Sequence, residues 1–503
     1  MASTTTMTTA TAARTRTPGL DLTGPVPAVL ALAGCGVFAA SLPPVSDHAW
    51  QFYMAERALD GARLYIDVGA ADMHPPLFTW LAMAIAAIGR VVHVSGLTLY
   101  PVFVLCTVAA TLFAWWRLAP RSGWMAAVIV AALLPMAGPY YGQGEHVALV
   151  FALPYLAGAA RTAQGRPLGR SAALAVALAA GIGLAMKPHF ALVWVGVEAW
   201  LATRRGMRSL LRAESITIGT VFVLYVVASL LLTPTLFQIL PWLLRLYPQF
   251  APVPFSSIIL DGWLILLVAG LVAGWTVRRD ERWAPLAHVL GITASAMYVA
   301  LLLQGKGWGY HWYPVSALSL ILCGLAIRPY LDRLRMAAPA LALLAAFWMH
   351  AQADRTTRLL VTDPVMLPQL MDVVERHAAG RSIVAYSHLL QTAFPLVNLT
   401  ATRWASPYAH LWMLPAMYAD AWAGREPVRY RDTGEWAALE QQILDRLWAQ
   451  FELDRPAIII LHAPLANGFD VRTWLESDER FAASLAATTT LTHIGRYVVV
   501  RTD

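Results

Sequence analysis

The sequence predicts a polytopic α-helical membrane protein that ends in a small α/β domain. Of its 503 residues, 58% are hydrophobic and 13% are charged, whereas a soluble domain carries about 25% charged residues. The mean hydropathy is +0.55, and long apolar runs recur between Pro25 and Trp348. After His350 the sequence becomes an ordinary mixture of polar and apolar residues, which predicts a domain with its own core.

The first residues, 1–23, are rich in Thr and Ala and carry Arg14 and Arg16. The apolar run that follows ends at Pro43 and Pro44 without the small-residue cleavage site of a secretory signal. We therefore expect a disordered cytoplasmic N-terminus followed by an uncleaved first helix at 24–42.

Arginine clusters between the apolar runs predict how the chain crosses the membrane, because positively charged loops stay in the cytoplasm. The clusters are Arg117/Arg121, Arg161/Arg166/Arg170, Arg204/Arg205/Arg208/Arg212, Arg278/Arg279/Arg282 and Arg328/Arg333/Arg335. We expect about eleven crossings, with the N-terminus inside and the tail outside. The predicted helices lie at about 24–42, 97–116, 124–139, 147–160, 171–186, 190–203, 215–233, 262–277, 284–303, 313–327 and 336–350.

The stretch ADMHPPLF opens an apolar run that is short for a crossing, LFTWLAMAIAAIG. If this run crossed the membrane, every later arginine cluster would face outward, against the rule for positive charge. We therefore predict a juxtamembrane helix on the outer surface. It belongs to the first outer loop, 41–96, of a transmembrane domain at 24–350, and a periplasmic α/β domain follows at 351–503.

The outer loops hold acidic residues at helix ends, where ionisable groups are costly and are functional candidates. Asp47 and Glu145 are each followed by a histidine, His48 and His146. A carboxylate there can deprotonate an acceptor hydroxyl. The alternative is that these acids are simply solvated side chains at helix ends. No metal-ligand spacing is recognised, so no metal site is assigned and no cofactor is firmly implied, although a divalent cation near Asp47 and Glu145 stays open.

Lys187 and Lys306 are the two lysines among 37 basic residues, and both lie in predicted outer loops. A compact ammonium suits a phosphate at the membrane surface, and Tyr310 and His311 follow Lys306 as hydrogen-bonding candidates. Lysines that extend to lipid headgroups are the alternative. His74, before Pro75, is either a structural corner or a further contact to a phosphate headgroup.

Other outward residues are weaker candidates that we expect to support the site or to contact membrane lipids. They are His48, His146, His189, Arg57 and Arg245.

The tail, 351–503, alternates strand-like runs such as SIVAYS, PAIIILHA and GRYVVVRT with helical ones. Its histidines, His388, His410 and His462, are interpreted as structural. The clustering of the net charge of +7 in predicted cytoplasmic loops argues against nucleic acid as a partner.

The sequence resembles the GT-C glycosyltransferases in three features. These are an acid after the first helix, a long outer loop that contains HPPL, and an acid in the second outer loop. The protein O-mannosyltransferases (glycosyltransferase family 39) and the bacterial transferases that add aminoarabinose or galacturonic acid to lipopolysaccharide are the groups it resembles. The resemblance covers about residues 25–350 and implies transfer, with inversion, from a polyprenyl-phosphate-linked sugar to an envelope glycan, glycolipid or protein. It also implies a bacterial inner-membrane location.

Carried over from this resemblance, Asp47 is the catalytic base, Glu145 the second acid and His74 part of the carrier-phosphate environment. The family's first motif is usually Asp-Glu, whereas this chain has Asp47-His48, which leaves the partner of Asp47 open. Two alternatives remain: a polysaccharide polymerase or ligase that uses a lipid-diphosphate donor, and a lipid-sugar transporter. A transporter would show internal repeats and polar residues near the membrane midplane.

Overall fold

The computed structural model describes residues 44–260, 262–331 and 366–502. It is mostly helical, at 69%. The predicted helices at 24–42 and 336–350 lie outside the described residues.

The transmembrane part is built from thirteen α-helices of the described residues. They are α1 (Ser46–Leu59), α2 (Pro76–Val92), α3 (Gly96–Leu118), α4 (Gly123–Leu133), α5 (Gly144–Ala163), α6 (Arg170–Ala185), α7 (Ala191–Arg205), α8 (Ala213–Leu232), α9 (Pro234–Leu246), α10 (Phe255–Ile259), α11 (Trp263–Thr276), α12 (Ala284–Gln304) and α13 (Gly309–Leu331).

Five of the described helices are long and apolar enough to cross a membrane, namely α3, α5, α8, α12 and α13. The apolar window of α5 is 83% buried and that of α8 is 17% buried, so α5 lies at the centre of the bundle and α8 at its periphery. Each helix predicted between 97 and 327 corresponds to a helix in the structure. The count of eleven crossings and their orientation stay predictions.

Helix α2 coincides with the predicted juxtamembrane helix. Pro76 lies at its first turn, where the missing N–H of proline costs nothing. At its other end His93 has a φ of 56°, and a Cβ on Gly89 would collide with the carbonyl of Val94. This close turn allows α3 to follow directly, and α2 packs against both α1 and α3.

The C-terminal domain has a mixed five-stranded sheet in the order β2-β1-β3-β5-β4. Strand β1 pairs in parallel with β2 and β3, whereas β5 pairs antiparallel with β3 and β4. The three predicted strands are present, and two were missed. The strands are β1 (Ser382–Tyr386), β2 (Arg403–Trp404), β3 (Ile458–His462), β4 (Thr489–Ile494) and β5 (Tyr497–Arg501).

Helices flank this sheet, and the long one, α18, packs its apolar face into the domain core through Ile443, Leu444 and Leu447. The helices are α14 (Met366–Ala378), α15 (Leu396–Leu399), α16 (Met413–Met417), α17 (Ala419–Trp422), α18 (Ala437–Asp454), α19 (Val471–Glu476) and α20 (Glu479–Ala486).

The core of the C-terminal domain continues into the first loop of the transmembrane part. Trp50 and Met54 of α1 belong to the same buried cluster as the sheet. The Trp412 indole N–H donates to the carbonyl of Ala71 at 3.0 Å, and the Asn398 amide donates to the carbonyl of Ala49 at 3.1 Å. The domain therefore holds the segment that carries Asp47 and His74.

Candidate functional site

A cavity opens where α1, the segment before α2, the first turn of α5, the α6–α7 connection and the start of α13 meet. Its empty volume is about 500 Å³, open solvent at the mouth included. Several of the predicted site residues share it. The lining residues are Asp47, His48, Gln51, His74, Pro75, Phe78, Gln143, Gly144, Glu145, Met186, Lys187 and Tyr310.

Asp47 lies in the first turn of α1, after an extended Val45. An acidic side chain at a helix N-terminus interacts favourably with the helix dipole. Its Oδ2 accepts a hydrogen bond from Nε2 of Gln143 at 3.2 Å. Gln143 is thus the hydrogen-bonding partner of Asp47 that the sequence left open.

Glu145 and Lys187 form an ion pair on another wall of the cavity. The Glu145 side chain is 2% exposed and that of Lys187 is 18% exposed. The Lys187 ammonium also donates to Oε1 of Gln304 at 3.4 Å and lies 5.2 Å from the centre of the Tyr310 ring. His311 Nε2 is 3.8 Å from the Glu145 carboxylate. The ammonium is therefore held in place by groups from three helices.

His74 is fixed by Asp72, a residue that sequence analysis missed. The Nδ1 atom of His74 lies 2.7 Å from Oδ1 of Asp72, which also accepts the His74 backbone N–H at 2.7 Å. Burial acts to lower the pKa of His74, but the Asp72 charge and hydrogen bond outweigh it, so this pKa is raised. The spacing Asp-Met-His, with the acid two residues before the ring, was a signal in the sequence.

The two histidines that follow the acids have different environments. His48 lines the cavity, and burial lowers its pKa to about 4. Among the described residues its Nε2 has no hydrogen-bond partner. His146 lies behind the wall. Its Nδ1 accepts the Gly142 N–H at 3.1 Å, and its Nε2 lies 2.7 Å from the carbonyl of Leu133. Both of its ring nitrogens thus contact backbone atoms, and its supporting role in the site stays a prediction.

Lys306, predicted to bind the donor phosphate, does not line the cavity. It is 2% exposed, and its ammonium donates to the carbonyls of Tyr247 at 2.7 Å, Pro248 at 3.4 Å and Phe250. Burial lowers the pKa of Lys306 to about 8, so it stays largely charged at neutral pH. Its charge is balanced by backbone dipoles of the α9–α10 connection.

The remaining predicted residues lie outside the cavity lining. Arg245 pairs with Glu435 of the C-terminal domain and stacks 4.9 Å from the centre of the Trp436 ring. His189 packs on Phe190 at 4.8 Å, and burial followed by the Lys187 charge lowers its pKa to about 4. Arg57 is half-buried in the last turn of α1.

Three glutamines of the site were also missed by sequence analysis. Gln143 and Gln304 bind Asp47 and Lys187 respectively. Gln51 lies one turn after Asp47 on α1 and accepts a hydrogen bond from the Thr79 hydroxyl at 2.5 Å. Its Nε2 has no partner within the part of the chain that the structure describes. An amide inside an apolar run carries little sequence signal, because it fits a helix interior as well as a site.

Within the described residues, no group of three or more His, Cys, Asp or Glu side chains is placed to share a metal ion. The Glu145 carboxylate is already paired with Lys187. The cavity therefore presents a carboxylate with an amide partner, a buried ion pair and a histidine held by an acid, a combination suited to proton removal beside a phosphate.

No family model matches the sequence, and no curated protein matches it. The structure is similar to that of ArnT from Cupriavidus metallidurans bound to undecaprenyl phosphate, with a TM-score of 0.59 at 14% identity, covering 94% of this chain and 97% of that chain. The apo state of the same protein gives a TM-score of 0.57 at 14% identity, with the same coverage.

The oligosaccharyltransferase of Archaeoglobus fulgidus, tethered with an acceptor peptide, has a TM-score of 0.46 at 10% identity, covering 91% of this chain and 72% of that chain. That likeness is too weak to carry an argument. The chain shares the ArnT fold over almost its whole length, and at 14% identity this likeness is one of fold.

Proposed function

We propose that this protein is a membrane glycosyltransferase that moves a sugar from a polyprenyl-phosphate carrier to an acceptor hydroxyl outside the cytoplasm. One observation carries the proposal: Asp47, His74, Glu145 and Lys187 line a single cavity. The fold shared with ArnT, which was determined bound to undecaprenyl phosphate, supports the choice of carrier.

Asp47 is the proposed base. It takes the proton of the acceptor hydroxyl as that oxygen attacks the anomeric carbon of the donor sugar. The bond from the anomeric carbon to the acceptor oxygen forms while the bond to the phosphate oxygen breaks, and polyprenyl phosphate leaves with the electron pair. Attack opposite the leaving group inverts the anomeric carbon. The hydrogen bond from Gln143 holds the carboxylate in place.

Lys187 and His74 are the proposed cations for the departing phosphate, where negative charge develops. Glu145 orients the Lys187 ammonium and offsets its charge while no donor is bound. A donor phosphate competes with Glu145 for this ammonium. The bound phosphate therefore either replaces Glu145 as the partner of Lys187 or binds beside the ion pair. Tyr310 and His311 complete this wall, the first through its ring and the second beside Glu145.

The polar groups assigned to the sugar are His48 and Gln51. Each lines the cavity, and each has a buried side-chain nitrogen without a partner in the described residues. Burying such a group unpaired is unfavourable, and a sugar hydroxyl satisfies it. The donor sugar is a hexose or pentose, and the acceptor is an envelope glycolipid, polysaccharide or protein. We place the cavity and the C-terminal domain on the periplasmic side of a bacterial inner membrane.

The test is transfer by the purified protein in lipid nanodiscs. Polyprenyl-phosphate sugars are extracted from a strain that lacks the gene, identified by mass spectrometry, and supplied as donors. We expect polyprenyl phosphate to be released only when both the protein and an envelope extract are present. Unchanged carrier-linked sugars and unchanged envelope glycans in the deletion strain would overturn the proposal. A transporter would instead move the intact donor across the bilayer without cleaving it.

A further inference from the structure

Asp72 is a buried acid beside the cavity, and it has no role in the proposed reaction as described so far. It is 8% exposed and does not line the cavity. Its carboxylate accepts hydrogen bonds from the Trp50 indole N–H, from the His74 backbone N–H and from the His74 ring. A buried carboxylate with several donors stays ionised, and here burial, which acts to raise the pKa of Asp72, is outweighed by its contacts with His74, so this pKa is lowered.

The hydrogen bond to Asp72 also fixes which nitrogen of His74 carries the permanent proton. The Nδ1 atom faces Asp72 and must donate to it, because a carboxylate only accepts. The His74 side chain is 41% exposed and lines the cavity. The Nε2 atom is therefore left for a bound group. A second N–H on Nε2 makes the ring a cation that donates to an anion.

We propose that Asp72 is a positioning residue that keeps the His74 ring oriented and positively charged toward the carrier phosphate, which makes donor binding dependent on pH. This inference rests on the proposed function, because it assumes a phosphate in the cavity. The acid acts through His74 and does not touch the donor itself.

The charged and titratable groups around His74 support this assignment. Asp72 and Asp47 favour the charged ring, whereas Lys187 opposes it. His410 of the C-terminal domain also faces the pair, but burial lowers its pKa to about 3, so it is neutral near pH 7. The Tyr65 hydroxyl donates to the backbone carbonyl of His74 at 2.6 Å and carries no charge near pH 7. The carboxylates therefore dominate at the ring.

The sign of the pH effect follows from these charges. The His74 ring is charged below its raised pKa, so the donor binds tightly there and affinity falls as pH rises through that pKa. Without the Asp72 charge the ring loses its proton at lower pH, and affinity falls earlier. The donor is a phosphodiester that stays singly charged near neutral pH, so its own titration does not enter.

The experiment measures the KM for the donor between pH 5.5 and pH 9 in four proteins: wild type, Asp72→Asn, His74→Lys and the double variant Asp72→Asn/His74→Lys. We expect the basic limb of the wild-type profile to move to lower pH in Asp72→Asn, with KM at pH 7.5 raised about tenfold or more. In His74→Lys the limb moves toward the much higher pKa of lysine, and adding Asp72→Asn then changes KM little.

If Asp72 has a purely structural role, the double variant should have a donor KM as high as that of Asp72→Asn. The basic limb of the pH profile of Asp72→Asn should then also stay at the wild-type pH. Either result overturns the inference. If Asp72→Asn does not fold, the His74→Lys profile decides alone: a basic limb that persists at the wild-type position contradicts the proposal. If the wild type transfers no sugar from polyprenyl phosphate at any pH, it is the proposed function that fails.

Discussion

Lys187 contacts Glu145 although the two residues are 42 positions apart in the chain and belong to different helix ends. The Glu145 carboxylate is almost fully buried, so the ammonium that neutralises it is required for its burial. The same ammonium is exposed enough to line the cavity. One ion pair thus links the stability of the bundle to the site proposed for phosphate.

Asp47→Asn is expected to lower the rate of sugar transfer by about 10²–10⁴-fold, the contribution of a general base. The fold should be retained, because asparagine still accepts the Gln143 amide. The measurement is turnover at saturating donor together with thermal unfolding. Asp67→Asn is the matched control, since Asp67 lies in the same loop, pairs with the exposed Arg63 and does not line the cavity. Near-normal turnover of Asp47→Asn would exclude it as the base.

Lys187→Ala is expected to destabilise the protein by about 3–5 kcal/mol, because it leaves the Glu145 carboxylate buried without its cation. It should also weaken binding of undecaprenyl phosphate. The double variant Glu145→Gln/Lys187→Ala separates the two effects, since it removes the unpaired charge. We expect it to recover most of the thermal stability but none of the affinity. Recovery of both would show that Lys187 has only a structural role.

Lys306→Met is expected to lower stability and leave the affinity for undecaprenyl phosphate nearly unchanged. The substitution keeps the length of the side chain but leaves the carbonyls that accept hydrogen bonds from Lys306 without a donor. This should lower the free energy of unfolding by about 1–3 kcal/mol or more. Thermal unfolding and equilibrium binding of undecaprenyl phosphate check the two parts. A large loss of affinity in a stably folded Lys306→Met protein would return this lysine to the phosphate site.

Trp412→Phe is expected to reduce activity although Trp412 belongs to the C-terminal domain. The change removes the hydrogen bond to the Ala71 carbonyl, next to Asp72, and should loosen the segment that holds His74. A rise in donor KM of a few-fold is the expected readout. Trp448→Phe, whose ring packs on Phe451 and Phe481 within the same domain, is the control. Equal effects of both variants would argue against transmission through Ala71.

The sequence predicted most helices because apolar length and arginine position are local signals. It missed α9 as a helix, since Pro234 and Pro241 resemble loop punctuation, although one of them begins the helix and the other is tolerated within it. It also missed β4, whose TTLTHI sequence is polar and largely exposed at a sheet edge. Strand β4 forms by pairing with β5, which its own sequence pattern does not indicate.

For the site, the rare polar residues at helix ends lie in different environments. Asp47, Glu145 and Lys187 stood out as polar residues at helix ends, and they line one cavity. Lys306 met the same criteria, yet its ammonium is enclosed by carbonyls of a segment about sixty positions earlier. Only the path of the chain distinguishes these two lysines. Asp72 was missed although its spacing to His74 is a local signal, whereas its contact with Trp50 is recognisable only in three dimensions.

The interlocking of α1 with the C-terminal domain has a consequence for how the protein is made. Trp50, which binds Asp72, packs on Phe394 with ring centres 5.0 Å apart. Because Phe394 follows α1 by several hundred residues in the chain, the packing that supports Trp50 and Asp72 forms only after the C-terminal domain has been synthesised. An incomplete chain in the bilayer has its carboxylates and histidine but not the scaffold that aligns them. We therefore expect the segment that carries Asp72 and His74 to become ordered only when the C-terminal domain has folded against it.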